Sequence, residues 1–200
     1  RTYWQFGTSM SSNYGGWPRA GNQVPAGRLL VLDDKSIYGF GRNQYIHHGA
    51  HVGIDGATVF HFKPQQDAER RFTHYRAFAV DRTAGREKQP ANAAAKRKRA
   101  ASSRQARKYR WTGQQPVLVR AMVLAGRNLI LAGPPDVFSS DEPTATIEGK
   151  RGGILCVLST ADGSELAQHK LESPPVFDGM AAAGGKLYMA AINGEVLCLE

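Results

Sequence analysis

An internal repeat near the end of this 200-residue chain limits its fold more than any other feature. Residues 121–133 (AMVLAGRNLILAG) align with residues 179–191 (GMAAAGGKLYMAA) at an offset of 58, so that Met122 matches Met180. Repeats at a fixed spacing are the sequence signature of a chain built from copies of one supersecondary unit. The alignment therefore predicts two copies of the same β-hairpin.

A second match follows each copy of the hairpin. Residues 153–158 (GILCVL) align with residues 195–200 (EVLCLE) at an offset of 42, which pairs Cys156 with Cys198. The difference, 58 − 42 = 16, predicts an insertion in the first copy, and the proline-containing residues 134–150 are interpreted as that surface loop. Without it the repeat is 42 residues long, which fits the period of about 40–45 residues of a four-stranded propeller blade.

The start of the chain holds a third copy. Residues 27–41 resemble residues 185–199, with offsets of 158 in the first half and 159 in the second. Asn193-Gly194 and Asp162-Gly163 each separate two strand-like runs and predict two-residue type I′ hairpin turns. Short strands at this spacing favour an all-β fold with little helix.

The predicted fold is a β-propeller of four-stranded antiparallel blades, with about three to four blades visible in one region that covers residues 1–200. Residues 72–80 are predicted to form a further strand, and strand character resumes at 109–119. The blades are expected near 27–45, near 60–80, from about 111 to 170, and at the end of the chain. Because closed propellers contain about four to eight blades, the count indicates part of a larger propeller.

The net charge of +9 comes from one segment. Residues 82–110 contain eleven of the 26 Lys and Arg residues and one of the 17 acids, a net of +10. The rest holds fifteen (26 − 11) basic and sixteen (17 − 1) acidic residues. The segment is predicted to be a basic insertion, disordered or partly helical, because its composition cannot bury a core. Three functions stay open for it: a solvated loop, contact with a polyanion such as nucleic acid, or contact with another acidic partner. The residues expected to make such contacts are Lys96, Arg97, Lys98, Arg99, Arg104, Arg107 and Lys108.

Two motifs near the end of the chain carry a resemblance to a known family. They are residues 173–180 (SPPVFDGM) with 193–199 (NGEVLCL), and residues 152–166 with Ala161-Asp162-Gly163. The first motif resembles the closing blade of bacterial pyrroloquinoline-quinone-like (PQQ-like) repeat propellers, and the second is similar to the strand–AxDG–strand element of these repeats. Residues 25–33 and 37–42 resemble the upstream part of large proteins of this type. The resemblance covers about two thirds of the chain and leaves out the basic segment.

The resemblance implies a scaffold in an extracytoplasmic compartment, the periplasm or cell envelope. Many members of the family bind no quinone, so the expected cofactor is none, and PQQ enters only through the resemblance. The function expected is a non-catalytic module that binds a protein or polysaccharide partner. The alternatives are a fragment of a quinoprotein-type oxidoreductase and polyanion binding through the basic insertion. No apolar run approaches the roughly 18 residues of a membrane span.

The remaining candidate residues carry weaker signals. The histidines His47, His48, His51 and His61 could form a metal site, but their spacing suits exposed histidines in a polar strand and loop better. Asp136 and Asp178 are interpreted as turn residues, with ligand binding at a propeller face as the alternative. Cys156 and Cys198 are expected to be core thiols on different blades, too far apart for a disulfide.

Overall fold

The fold is all-β, as predicted. The computed structural model describes residues 4–6, 25–42, 44–47, 50–53, 58–59, 75–85, 109–137, 139 and 141–200. The strands in these residues are β1 (Trp4–Gln5), β2 (Ala26–Gly27), β3 (Leu29–Leu32), β4 (Ser36–Arg42), β5 (Gln44–His47), β6 (Ala50–Gly53), β7 (Thr58–Val59), β8 (Tyr75–Asp81), β9 (Trp111–Gly113), β10 (Ala121–Ala125), β11 (Asn128–Gly133), β12 (Gly153–Ser159), β13 (Glu165–Leu171), β14 (Pro175–Ala183), β15 (Lys186–Ala191) and β16 (Val196–Leu199). A 3-10 helix covers Arg82–Gly85.

Three antiparallel sheets follow each other along the chain. Sheet I has the strand order β3-β4-β8-β9, sheet II has the order β10-β11-β12-β13, and sheet III has the order β14-β15-β16. Every neighbour in these sheets is also the next strand in the chain, apart from β5–β7, which lie between β4 and β8 and form a small sheet of their own. A two-stranded pairing of β1 with β2 precedes sheet I.

The predicted repeat of the β10–β11 hairpin is confirmed at single-residue precision. Met122 pairs with Leu131 in sheet II, and Met180 pairs with Met189 in sheet III. Both residues of the second pair lie 58 positions after their counterparts. An equal register is expected because a slip by one residue would move every apolar side chain to the opposite face.

The predicted equivalence of Cys156 and Cys198 is wrong by one residue. Cys156 pairs with Leu131, whereas the pair that corresponds to it in sheet III is Met189 with Leu197. Cys198 is the next residue and pairs with Tyr188. Since successive side chains of a strand point to opposite faces, Cys156 is buried and Cys198 is exposed.

The third copy has the predicted register but a different place in its sheet. Leu29 pairs with Phe40, matching the pair of Leu187 with Leu199 at offsets of 158 and 159. However, β3 is the first strand of sheet I, whereas β15 is the second strand of sheet III. The similarity therefore reflects a shared hairpin pattern and not an equivalent position.

Two of the expected blades are one sheet. The sequence predicts separate blades near 27–45 and near 60–80, but β4 pairs with β8 along its full length. Trp111 begins β9 of sheet I and does not open the next unit. The long insertions between β4 and β8 and between β8 and β9 hide this pairing in the sequence.

The hairpin turns differ from the type I′ prediction. In a type I′ turn both central residues have positive φ, yet Asp178 is the only residue other than glycine with positive φ in the described part of the chain. Gly194 donates its N–H to the carbonyl of Ala191, and Ala191 pairs with Glu195. This arrangement is a three-residue loop with glycine in the left-handed position. Both central residues have positive φ in the Gly184-Gly185 turn between β14 and β15.

The sheets pack face to face through two apolar cores. Between sheets I and II lie Phe40, Trp111, Met122, Leu131 and Cys156, among others. The opposite face of sheet II packs on sheet III through a second core. The residues of this second core include Ala132, Leu155, Leu187 and Met189, which are buried. In this way sheet II is covered on both faces.

The first strands of the three sheets are neighbours. β10 contacts β3 on one side and β14 on the other. The three meanders therefore share one edge, along which β3, β10 and β14 lie next to each other. At the end of this edge where β3 and β10 begin, residues from all three sheets lie close together.

The turn between β3 and β4 anchors both ends of the basic segment. Asp33 accepts hydrogen bonds from the backbone N–H groups of Lys35 and Ser36. Desolvation raises the pKa of Asp33, but these bonds, the Tyr38 hydroxyl and the charge of Arg110 together hold it below its usual value. Arg82 donates to the Asp33 carbonyl, and Arg110 donates to the Ser36 hydroxyl. Two of the eleven cations thus bind the fold itself.

Candidate interaction surface

Sheet III exposes an apolar face. In β15, Leu187, Met189 and Ala191 are buried against sheet II, and the side chains between them point the other way. The register places the following residues together on that outer face: Ala181, Tyr188, Ala190, Val196 and Cys198. Tyr188 is 39% exposed and Val196 is 73% exposed. These five residues are called the outer face of sheet III below.

The backbone groups of β16 that point away from β15 border this outer face. Ala191 donates its N–H to the Glu195 carbonyl at 2.8 Å, which marks the first hydrogen-bonded pair of the ladder. Hydrogen-bonded and non-hydrogen-bonded pairs alternate along an antiparallel ladder. Val196 and Cys198 belong to the second kind, so their N–H and C=O groups point away from β15. In the described residues no strand pairs with this edge.

Sheets I and II differ from sheet III at the edge that follows the third strand. Each has a fourth strand, β9 or β13, and β13 is polar and largely exposed, as suits an edge strand. The one large apolar side chain exposed on β13 is Leu166. The outer face of sheet III is an exposed apolar patch, which is the surface type that proteins use for interaction.

A cleft of about 780 Å³ opens at one end of the core between sheets II and III. Its apolar walls include Ile130, Leu155, Val157 and Leu187. Polar groups lie at the rim, where Lys186 forms an ion pair with Glu200. The cleft is the open end of an inter-sheet core and shows no pairing of a nucleophile with a base among its lining residues.

Asp136 lies at a bend after β11, and Asp178 lies within strand β14. The backbone N–H of Asp136 donates to the Pro116 carbonyl, in a stretch where Pro135 bridges to Val117. Asp178 lies within β14, has a φ of 59°, and donates its backbone N–H to the Arg120 carbonyl. The turn interpretation is therefore wrong for Asp178 and stays a prediction for Asp136.

Most of the other predicted site residues are outside the described residues. This holds for Lys96, Arg97, Lys98, Arg99, Arg104, Arg107 and Lys108, and for His48 and His61. His47 ends β5 and His51 lies in β6. The role of the basic insertion and of the histidines stays a prediction.

A contact that the sequence did not reveal joins sheets I and II. Trp111 at the start of β9 donates its indole N–H to the Thr160 carbonyl at 3.0 Å. A Cβ atom on Gly163 would lie 2.5 Å from the Trp111 ring. The ring is thus pressed against the Ala161-Asp162-Gly163 turn, and no side chain larger than hydrogen fits between them.

Comparisons with known proteins add no identity. No family model matches the chain, and no curated protein matches it either. Within the described ranges, no group of three or more His, Cys, Asp or Glu side chains could hold a metal ion. The described residues also contain no helix that is long and apolar enough to cross a membrane.

Proposed function

We propose that the chain is a non-catalytic part of a β-propeller that acts as a binding scaffold for a protein partner. Three features support a propeller: each sheet is a meander in chain order, consecutive sheets pack face to face, and the first strands β3, β10 and β14 are neighbours. In a propeller the first strand of each blade lies nearest the central axis, which matches this shared edge.

The observation that carries the binding role is the apolar outer face of sheet III, where Tyr188 is 39% exposed and Val196 is 73% exposed. Sheets I and II each bury an equivalent apolar face against the next sheet. The partner expected on this surface is a polypeptide strand with alternating apolar and polar residues, which would pair with Val196 and Cys198 and cover Tyr188. Backbone bonds would supply affinity, and the apolar face would supply specificity.

The test uses Val196→Lys, which places a charge on the outer face. Since Val196 is 73% exposed, the free energy of unfolding should change by less than about 0.5 kcal/mol. Proteins captured by the wild-type chain are identified and purified, and their affinity for both forms is measured by calorimetry. We expect binding to Val196→Lys to be at least about tenfold weaker, because the lysine charge would be desolvated in the complex.

Leu166→Lys is the matched control. It makes the same type of change on the exposed edge strand β13, where Leu166 is 57% exposed, and it should leave partner binding unchanged. Equal loss of binding in both variants, or in neither, would contradict the proposal. So would a visible absorbance band of bound quinone in the purified protein, which would instead support the oxidoreductase.

A second candidate function is polyanion binding through the basic insertion, favoured by its charge of +10 over residues 82–110. The test replaces Lys96, Arg97, Lys98, Arg99, Arg104, Arg107 and Lys108 with glutamine. We expect the affinity for a short DNA duplex at low salt to fall by more than about tenfold, and the salt dependence of the remaining binding to become shallower.

The control for this second function changes the same segment without changing its charge. Replacing residues 91–95 (ANAAA) with glycine and serine should leave DNA affinity as it is. If the wild type, the glutamine variant and the glycine/serine variant bind DNA equally weakly, the insertion has no role in polyanion contact. Partner binding by the outer face of sheet III should be unaffected by either change.

A further inference from the structure

Two arginines lie at the same end of the first strands of sheets I and II. Arg28 directly precedes β3 and Arg120 directly precedes β10. Sheet III reaches the same place, because the Asp178 backbone N–H donates to the Arg120 carbonyl at 2.8 Å. Phe177, the residue before it, lies under Arg28, with the guanidinium carbon 5.5 Å from the ring centroid. All three sheets therefore contribute to one small cluster, formed by Arg28, Arg120 and Phe177.

The two guanidiniums of this cluster form no ion pair with a carboxylate within 4.0 Å in the described ranges. Both arginines are half-buried, and Nε of Arg28 is buried without a hydrogen-bond partner. Burial, and then the nearby charge of Arg28, lower the pKa of Arg120. Two like charges held together and partly removed from water are costly unless an anion joins them.

The orientation of Arg120 is fixed by the chain itself. Its guanidinium donates to the Ile147 carbonyl in the segment between β11 and β12. That segment is held in turn by Thr146, a buried residue whose hydroxyl donates to the Val137 carbonyl at 2.7 Å. Phe177 supports the other arginine through a cation–π contact. Phe177 is 48% exposed, so the cluster is open to solvent on this side.

We propose that Arg28 and Arg120 form a binding site for an oxyanion, either a carboxylate or a phosphate group, at the shared end of strands β3, β10 and β14. A planar guanidinium donates two parallel hydrogen bonds to such groups, and two guanidiniums can hold one oxyanion from two sides. This site is separate from the outer face of sheet III and does not depend on the proposed scaffold function.

The test is a titration of the full chain with inorganic phosphate and, separately, with succinate, followed by the NMR signals of the arginine Nε–H groups. The Arg28 signal should shift and saturate with at least one of the two anions. Saturation by phosphate alone assigns a phosphate site, and saturation by succinate alone assigns a carboxylate site. Because the contact is electrostatic, the affinity should fall as sodium chloride is added.

Substitutions show whether the two arginines carry the binding. Arg28→Gln should weaken binding by about tenfold or more, since it removes a charge-assisted pair of hydrogen bonds. Arg28→Lys keeps the positive charge but loses the planar guanidinium that donates two parallel hydrogen bonds, so it should give an intermediate affinity. Arg120→Gln should resemble Arg28→Gln, and because Arg120 also binds Ile147, its fold is checked by thermal unfolding.

Arg127→Gln is the matched control. Arg127 is an exposed arginine in the turn between β10 and β11, at the far end of β10 from Arg120. This variant should bind either anion as the wild type does. The proposal is overturned if neither anion gives a saturable shift, or if Arg127→Gln weakens binding as much as Arg28→Gln.

Discussion

Trp111→Ala should lower the free energy of unfolding by about 3–5 kcal/mol, the range found when a buried large aromatic is truncated. The side chain is 8% exposed and belongs to the core between sheets I and II. Its ring lies 6.2 Å from the ring of Tyr38 and presses on the turn at Gly163. Truncation would leave a cavity between the two sheets and would leave the Thr160 carbonyl without its indole donor. Urea unfolding followed by tyrosine fluorescence and circular dichroism measures the change.

Two further variants separate packing from hydrogen bonding at Trp111. Trp111→Phe keeps most of the ring and loses the indole N–H, so it should cost less than Trp111→Ala, with about 1 kcal/mol from the lost hydrogen bond. Gly163→Ala should also be destabilising, because its Cβ would lie 2.5 Å from the ring and Gly163 has a φ of 76°. If Trp111→Ala changes stability by less than about 1 kcal/mol, the ring does not join the sheets as described.

The hairpin repeat could be predicted from sequence because local pairing dictates it. The 58-residue offset between 121–133 and 179–191 is free of gaps, and an apolar face repeated at alternate positions allows only one register. For the same reason the turn positions at Asn193-Gly194 and Asp162-Gly163 were correct. Their exact type was not, because Asn-Gly is compatible with both a two-residue loop and a three-residue loop.

Longer-range features could not be predicted in this way. The strands that contain Cys156 and Cys198 look alike at an offset of 42, and only their pairing with β11 and β15 shows that the structural offset is 41. The pairing of β4 with β8 spans a long insertion, and nothing in the local pattern of either strand identifies the partner. The sequence pattern places Trp111 at the start of the unit that follows it, whereas its strand β9 pairs with β8 across residues 82–110.

The candidate sites were even less visible in the sequence. Arg28 and Arg120 are 92 residues apart, and each is simply a charged residue before an apolar strand, so only the packing of β3 on β10 brings them together. The exposed outer face of sheet III has the alternating pattern of any half-buried strand. The strongest charge signal, residues 82–110, lies mainly outside the described residues.

Cys198 should react with a thiol reagent at pH 8 at least about a hundredfold faster than Cys156 in the folded protein. The thiolate is the reactive form, and burial, followed by the charge of Glu165, raises the pKa of Cys156 from 9.0 to about 11. Two pKa units reduce the thiolate fraction about a hundredfold, and the complete burial of Cys156 slows access further. Cys198 lies exposed on the outer face of sheet III.

Single-cysteine variants make this measurement a direct test of strand register. Cys156→Ala should leave one fast thiol, and Cys198→Ser should leave one slow thiol that becomes fast in denaturing urea. Raising the pH toward 11 should speed the reaction of Cys156, because its thiolate fraction rises until the pH passes its pKa. An offset of 42 between the two strands would instead give both cysteines the same orientation and similar rates. Equal rates in the folded protein would therefore contradict the pairing of Cys156 with Leu131 and of Cys198 with Tyr188.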